Sequence, residues 1–343
     1  MRRAVPWLGL VVTVVFAYLA VRGVHWGRAR AALRSSNPWW LLPALAVLAA
    51  AVFLRAVRWR YLFASETRPP LPATTRALLV GYFFNNVLPA RAGEAARVVA
   101  LHRSSGNSRA ELAATVVVER VFDGVSLVVL LLVALPWFPH VSWATSAAIL
   151  AGILCAGCVL VVAGVRLWGE RPFRLLLRPL AFLPFLAEEQ LGRAALNLTH
   201  GLAGVRRPRL AIGAFALTTL SWLGLGLSTW FVLRAFHLGL SPLAGLLTVI
   251  AINLALILPS SPAAVGVFEA ATLVALSAYG VSTSEALPVA LVLHLVNLVP
   301  YLAAGPFVLR TAAREESARA EGPQPETRSS GSAVATTRRP PTT

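Results

Sequence analysis

Two clusters of polar residues stand within or beside apolar stretches, and their types are those that grip phosphate or carboxylate. The first is Asn85, Asn86, Arg91, Glu94 and Arg97. Three-residue spacing sets Arg91, Glu94 and Arg97 along one face of a helix. The second is Glu119, Arg120 and Asp123, with the acids four apart and Arg120 three before Asp123. Charged groups at membrane depth cost on the order of 2.5–3.5 kcal/mol each, so every one needs a partner or a task. One outcome is ion pairing between the clusters, which would fix a helical bundle. The other leaves an arginine free to take a lipid phosphate or carboxylate, which its planar donor fork matches bidentately. A thinner counterpart follows in Asn253, Ser260, Ser261 and Glu269, with His294 and Asn297 three apart beyond it. His294 reads first as a satisfied core histidine.

Bond-making chemistry finds no support in these residues. No hydrolase elbow, phosphate-cradling glycine loop, zinc-spaced histidines or paired catalytic carboxylates are present. Cys155 and Cys158 form a lone C-x-x-C inside an apolar run, with no histidine or acid nearby, and read as small helix residues. The expectation is a protein that is not an enzyme, with no metal and no cofactor.

The elements that must position these residues are membrane helices. The chain has 343 residues, is 57% hydrophobic and only 13% charged, about half the charge of an ordinary soluble domain. Its 31 basic residues are all arginine against 14 acids, a formal charge of +17. The arginines gather between apolar runs, where cytoplasmic loops and anionic headgroups account for them, and no basic domain exists to bind nucleic acid. Apolar runs give full spans near 5–21, 39–57, 112–135, 143–165, 210–233 and 288–309. The first follows Arg2-Arg3 and lacks a small-x-small cleavage site, so it reads as an uncleaved span.

Two regions differ. Residues 77–98 are interrupted by Asn85, Asn86 and Pro89, and residues 243–279 by Asn253, Pro259 and Pro262. Their unbroken pieces reach about 18–24 Å, short of a ~30 Å hydrocarbon core, and read as half-helices or re-entrant hairpins. The expected architecture is therefore an all-α polytopic bundle of about six full spans plus two broken re-entrant elements.

Arginine placement sets the orientation. Residues 166–209 and the tail from Arg310 are arginine-rich and read as cytoplasmic; 136–142 and 236–241 carry none and read as external. The arginines of 22–34 run against this bias. The broken regions then sit in opposite orientation within two similar units, 39–135 and 210–309, the inverted-repeat plan of many transporters. A faint echo accompanies it: LPARAGEAAR (88–97) and LPSSPAAVGVFEA (258–270) both place a glycine and a glutamate after Leu-Pro. Residues 166–209 alternate arginine with leucine, phenylalanine and tryptophan, which suits an interfacial or cytoplasmic connector. Thus 1–312 reads as one membrane domain and 313–343 as a disordered cytoplasmic tail.

Two stretches carry a resemblance: GYFFNNVLPARAGEAARVVALHRSSGNSRAELAATVVVERVFDGVSL (81–127) and LPSSPAAVGVFEAATLVALSAYGVSTSEALPVALVLHLVNLVPYLAAG (258–305). They resemble the membrane region of lysylphosphatidylglycerol synthases and its stand-alone, flippase-like relatives. The resemblance implies movement of an amphiphilic anionic or zwitterionic lipid between leaflets, such as an anionic or aminoacylated phospholipid or a lipid-linked sugar, in a multi-pass protein of the cell membrane. Carried over onto this chain, Asn86, Arg91, Glu94, Arg97, Glu119, Arg120, Asp123 and Glu269 would face the headgroup. Pro89, Gly93, Pro259, Pro262 and Gly266 would shape the broken helices. Ala263 departs from the pattern, since relatives frequently carry glycine after Ser-Pro. Full-length synthases also bear a soluble aminoacyltransferase domain after the membrane part, whereas a short tail follows here, so aminoacylation is not expected of this chain. The expected partners are membrane lipids. The rival expectation is a non-transporting membrane partner of a separate soluble lipid synthetase or glycosyltransferase.

Overall fold

The computed structural model describes residues 24–63, 66–88, 92–139, 208–257 and 262–320, with isolated helical positions at 18 and within 146–160. The expected spans at 5–21 and 143–165, the connector at 166–209, and Pro89, Arg91, Pro259, Ser260 and Ser261 lie outside the described residues, as does the tail beyond 320.

Among the described residues the chain is helical throughout. After a short helix α1 (Trp26–Ser35), a tight turn at Pro38–Trp40 is capped by the Asn37 side chain, which accepts from the Trp39 N–H. It leads into α2 (Leu41–Tyr61). A pair of short helices follows, α3 (Leu71–Val87) and α4 (Gly93–Ser105), and then the long α5 (Arg109–Ala134). The second part repeats that order of long, short, short, long: α6 (Pro208–Ala235), α7 (Pro242–Ala255), α8 (Val267–Ser277) and α9 (Thr283–Ala320).

Local chemistry sets the ends. Prolines 70 and 72 open α3 and Pro242 opens α7, each where a missing N–H costs nothing. Gly106, at φ 77°, closes α4 with its N–H on the His102 carbonyl. Ser108 then caps α5 by accepting from the Glu111 N–H at 3.1 Å. Helix α3 begins at Leu71, six residues before the expected start at 77, because the helix accommodates Arg76 and draws its start from the prolines. Helix α9 carries Pro288, Pro300 and Pro306 without ending, as membrane helices do when neighbours re-satisfy the freed carbonyls.

Among the described residues, three helices are long and apolar enough to cross a membrane: Pro38–Tyr61, Arg209–Ala235 and Thr283–Thr311. Pro242–Ala255 and Pro262–Ser277 are apolar but short. The chain is thus an all-α membrane protein.

The long helices α2 and α6 pack along each other at the centre. Ser228 donates to the Ala44 carbonyl at 2.8 Å, and Gly224 faces Ala51. One apolar core gathers Trp59, Leu62, Phe63, Leu101 and Leu112 around the first short pair; another gathers Leu48, Leu233, Leu276 and Leu293 around the second. Glycines bring the backbones together. A methyl group on Gly93 would run into the Gly81 carbonyl and Asn85, and one on Gly245 into the Gly226 carbonyl. The two parts meet where Tyr82 packs on Tyr301, ring centroids 4.8 Å apart, and Phe83 fills the space beside Gly305.

Candidate functional site

Because α4 follows α3 after a five-residue break, Arg97 and Glu94 face α5 beside the end of α2. Glu119, Arg120 and Asp123 rise from α5 to meet them. The two clusters of the sequence become one. Arg97 contacts Glu94 at 2.5 Å and Glu119 at 3.0 Å. Arg120 reaches Glu94 at 2.7 Å, Asp123 at 3.2 Å and Glu119 at 3.4 Å. A further arginine completes the arrangement: Arg58, near the end of α2, contacts Glu119 at 2.8 Å and Asp123 at 2.5 Å. Its Nη1 also donates to Thr218 of α6 at 3.3 Å.

Three guanidinium groups and three carboxylates therefore close on one another, and their formal charges cancel. Cancellation is what permits them in an apolar bundle, where an uncompensated ion would be strongly disfavoured. Some contacts are charge pairs and not aligned hydrogen bonds: Arg58 Nη2 and Arg97 Nη2 sit close to carboxylate oxygens without hydrogen-bond geometry. Beneath the network Trp59 donates to Thr115 at 2.9 Å and offers its ring face to Arg97, 4.8 Å from the guanidinium carbon.

The network has one open edge. The side chains of Arg58, Arg97 and Glu119 are at most 3% exposed, whereas Arg120 is 44% and Glu94 26% exposed. Arg120 and Glu94 are thus its most accessible members. Asn86, expected at the headgroup, donates instead to the Tyr82 carbonyl one turn back at 2.9 Å. Asn253 and Asn297 do the same to Val249 and Leu293. Each amide group thereby satisfies its donor within its own helix. Asn85 keeps a buried Oδ1 without a partner, next to Gly93.

The second short pair has a different construction. Glu269 accepts from the Gly266 N–H at 2.7 Å, which caps α8. It also meets His294 Nδ1 of α9 at 2.5 Å, while His294 Nε2 faces the Ala263 carbonyl at 3.0 Å. Both ring nitrogens thus face an oxygen. Phe268 stacks on the ring at 4.5 Å. The turn thus clamped is left-handed: Ala263 has φ 56°, Ala264 φ 57° and Gly266 φ 83°. The position where relatives frequently carry glycine is here an alanine held in the conformation that glycine favours. Pro262 opens this turn.

Sequence reasoning had placed Glu94, Arg97, Glu119, Arg120 and Asp123 in a common task, and they are together. It missed Arg58, which lies one residue beyond the expected span 39–57. It also missed Arg55, one turn earlier, which donates to the Tyr82 hydroxyl at 3.2 Å and Ser221 at 3.5 Å. Glu269 stands with His294 at the other short pair and not in the network. Among the described residues, no three His, Cys, Asp or Glu side chains group as metal ligands would.

The chain is 24% identical over 225 residues to the UPF0104 membrane protein MJ1078 of Methanocaldococcus jannaschii, covering 63% of this chain and 88% of that protein. Residues 7–305 match the model of the lysylphosphatidylglycerol synthase TM region, which takes in both short helix pairs and the whole ion network. The chain belongs to that family.

Proposed function

We propose that this protein is a multi-pass lipid translocase of the cell membrane, moving a phosphate-bearing lipid headgroup between leaflets without making or breaking covalent bonds. The observation that supports this is the neutralised ion network beside a broken helix pair, buried except at the Arg120–Glu94 edge. Arg58 and Arg97 with Glu119 and Asp123 consume one another's charge and frame the site. Arg120, with its open guanidinium, takes the phosphate, and Glu94 receives a positively charged headgroup group where one is present. The broken pairs supply backbone breaks at which one half of the bundle moves against the other, as in transporters built from discontinuous helices.

The test is leaflet exchange of headgroup-labelled lipids in vesicles carrying the purified chain. Arg120→Gln should slow exchange at least tenfold while thermal unfolding shows the bundle intact. Exchange by Arg120→Gln at the wild-type rate removes Arg120 from the headgroup role. If the wild-type chain exchanges none of the lipids, the translocase reading fails, and an anchoring partner of a separate lipid-modifying enzyme takes its place.

A further inference from the structure

Arg55 carries a charge that no carboxylate pairs directly among the described residues, although Asp123 of the network acts on it at longer range. It lies on α2 one turn before Arg58, about 9 Å from the helix end at Tyr61. Arg58, Arg97 and Arg120 each touch carboxylates; Arg55 touches none within ion-pairing distance among the described residues. Its neighbours are the Tyr82 hydroxyl, the Ser221 hydroxyl and the Trp222 ring, 4.4 Å from its guanidinium carbon. Since the ion network sums to zero, the described residues here keep one positive charge.

Two buried donors at this place lack an acceptor. Arg55 Nη2 and the indole Nε1 of Trp222 are both shielded from solvent and unpaired. Trp222 is 3% exposed. Both groups can only donate, so the ligand that satisfies them must bring acceptor oxygens, and charge balance asks for an anion. Arg58 and Arg97 also leave their Nε atoms bare, but carboxylates already offset their charge. Tyr82, which accepts from Arg55, packs on Tyr301 of α9. Arg55 therefore lies one turn from Arg58 of the network and beside the contact between the two parts of the bundle.

We infer that Arg55, with Trp222 and Tyr82, forms an anion subsite that makes this protein select lipids whose headgroup is net negative over zwitterionic or net cationic ones. The inference rests on the translocase reading for its lipid ligand, and it names the substrate class. A phosphodiester oxygen accepts from Arg55 Nη2 and Trp222 Nε1, and the lipid's single negative charge cancels the one the bundle leaves over. A headgroup bearing an added ammonium supplies no net charge, and one bearing two adds to the excess.

The experiment is equilibrium binding of three lipids with identical acyl chains to the full-length protein in nanodiscs of uncharged lipid. Phosphatidylglycerol, phosphatidylcholine and lysylphosphatidylglycerol carry net charges of about −1, 0 and +1 at neutral pH. The wild type should bind phosphatidylglycerol about tenfold or more tightly than phosphatidylcholine, and lysylphosphatidylglycerol least. Arg55→Gln should abolish the preference, Arg55→Lys should keep its order, and Arg234→Gln, whose cation rests on Trp40 and Trp230 at the far end of α6, should leave it unchanged. Equal binding of all three lipids by the wild type overturns the inference without recourse to any variant. So does an unchanged preference in Arg55→Gln. Displacement of bound phosphatidylglycerol by millimolar glycerol phosphate would assign the subsite to a soluble anion and overturn the lipid assignment. Binding with the expected order but no leaflet exchange would sink the translocase reading and leave the subsite standing; exchange without charge preference would do the reverse.

Discussion

Replacing Arg58 by methionine tests whether the ion network is a closed charge balance or a set of independent pairs. Arg58 is 1% exposed and holds Glu119 at 2.8 Å and Asp123 at 2.5 Å. Methionine fills much of the same volume but leaves three carboxylates facing two guanidinium groups. Breaking a buried pair in this way costs about 3–5 kcal/mol, because the partner charge stays behind uncompensated. A second substitution, Asp123→Asn, returns the sum to zero and removes the carboxylate that Arg58 alone held closest. The double variant should recover at least about 2 kcal/mol of the loss, a coupling within the range seen for residues sharing a network. Arg58→Met with Glu94→Gln has the same formal charge but strands Asp123 on Arg120, so it should recover less. Reversible unfolding in mixed micelles, monitored by tryptophan fluorescence, measures each variant. Additive losses in the Arg58→Met/Asp123→Asn protein, or an Arg58→Met protein within about 1 kcal/mol of wild type, would refute the reasoning.

Other outcomes follow from the same geometry. Gly93→Ala should destabilise by about 1–3 kcal/mol or more, since its methyl group meets the Gly81 carbonyl and Asn85, and Gly245→Ala should do likewise against the Gly226 carbonyl; unfolding midpoints near wild type would contradict both. Ala263→Gly should stabilise by up to about 1–2 kcal/mol, because φ 56° is costly for alanine, and loss of stability there would show that the turn gains more from the methyl group than it pays in strain. His294→Ala removes the partner of both Glu269 and the Ala263 carbonyl. It should expose the 262–266 turn to hydrogen exchange while amides in α4 and α5 stay protected; equal exposure of both short pairs would deny that the clamp is local.

The helical class and the two breaks were visible in the sequence, because apolar runs and the interruptions at Asn85, Asn86 and Pro89 and at Asn253, Pro259 and Pro262 act within a turn or two of themselves, whereas the prolines at 72 and 242 that open α3 and α7 drew no reading. Glu94, Arg97 and the α5 triplet were legible because an ion in an apolar run demands an explanation. Arg58 was not, since it sits three residues from the end of α2, where a loop arginine and a network arginine look alike until α5 is packed beside it. His294 and Glu269 are 25 residues apart, and no spacing rule joins two helices across a turn of that length. Their meeting depends on the left-handed backbone at Ala263 and Ala264. The resemblance pointed at Ala263 as unusual, but it took the backbone angle to say why a glycine suits that place.

The network also bears on how the chain enters the membrane as it is made. Helix α5 carries Glu119, Arg120 and Asp123 around its middle and would insert poorly alone. Its outside partners, Arg58 on α2 and Glu94 and Arg97 on α4, all leave the ribosome before it does. By the time α5 emerges, a receptive surface of matching charge is already in place. A circular permutation that made α5 before α2 would ask the insertion machinery to accept an acidic helix with nothing to receive it.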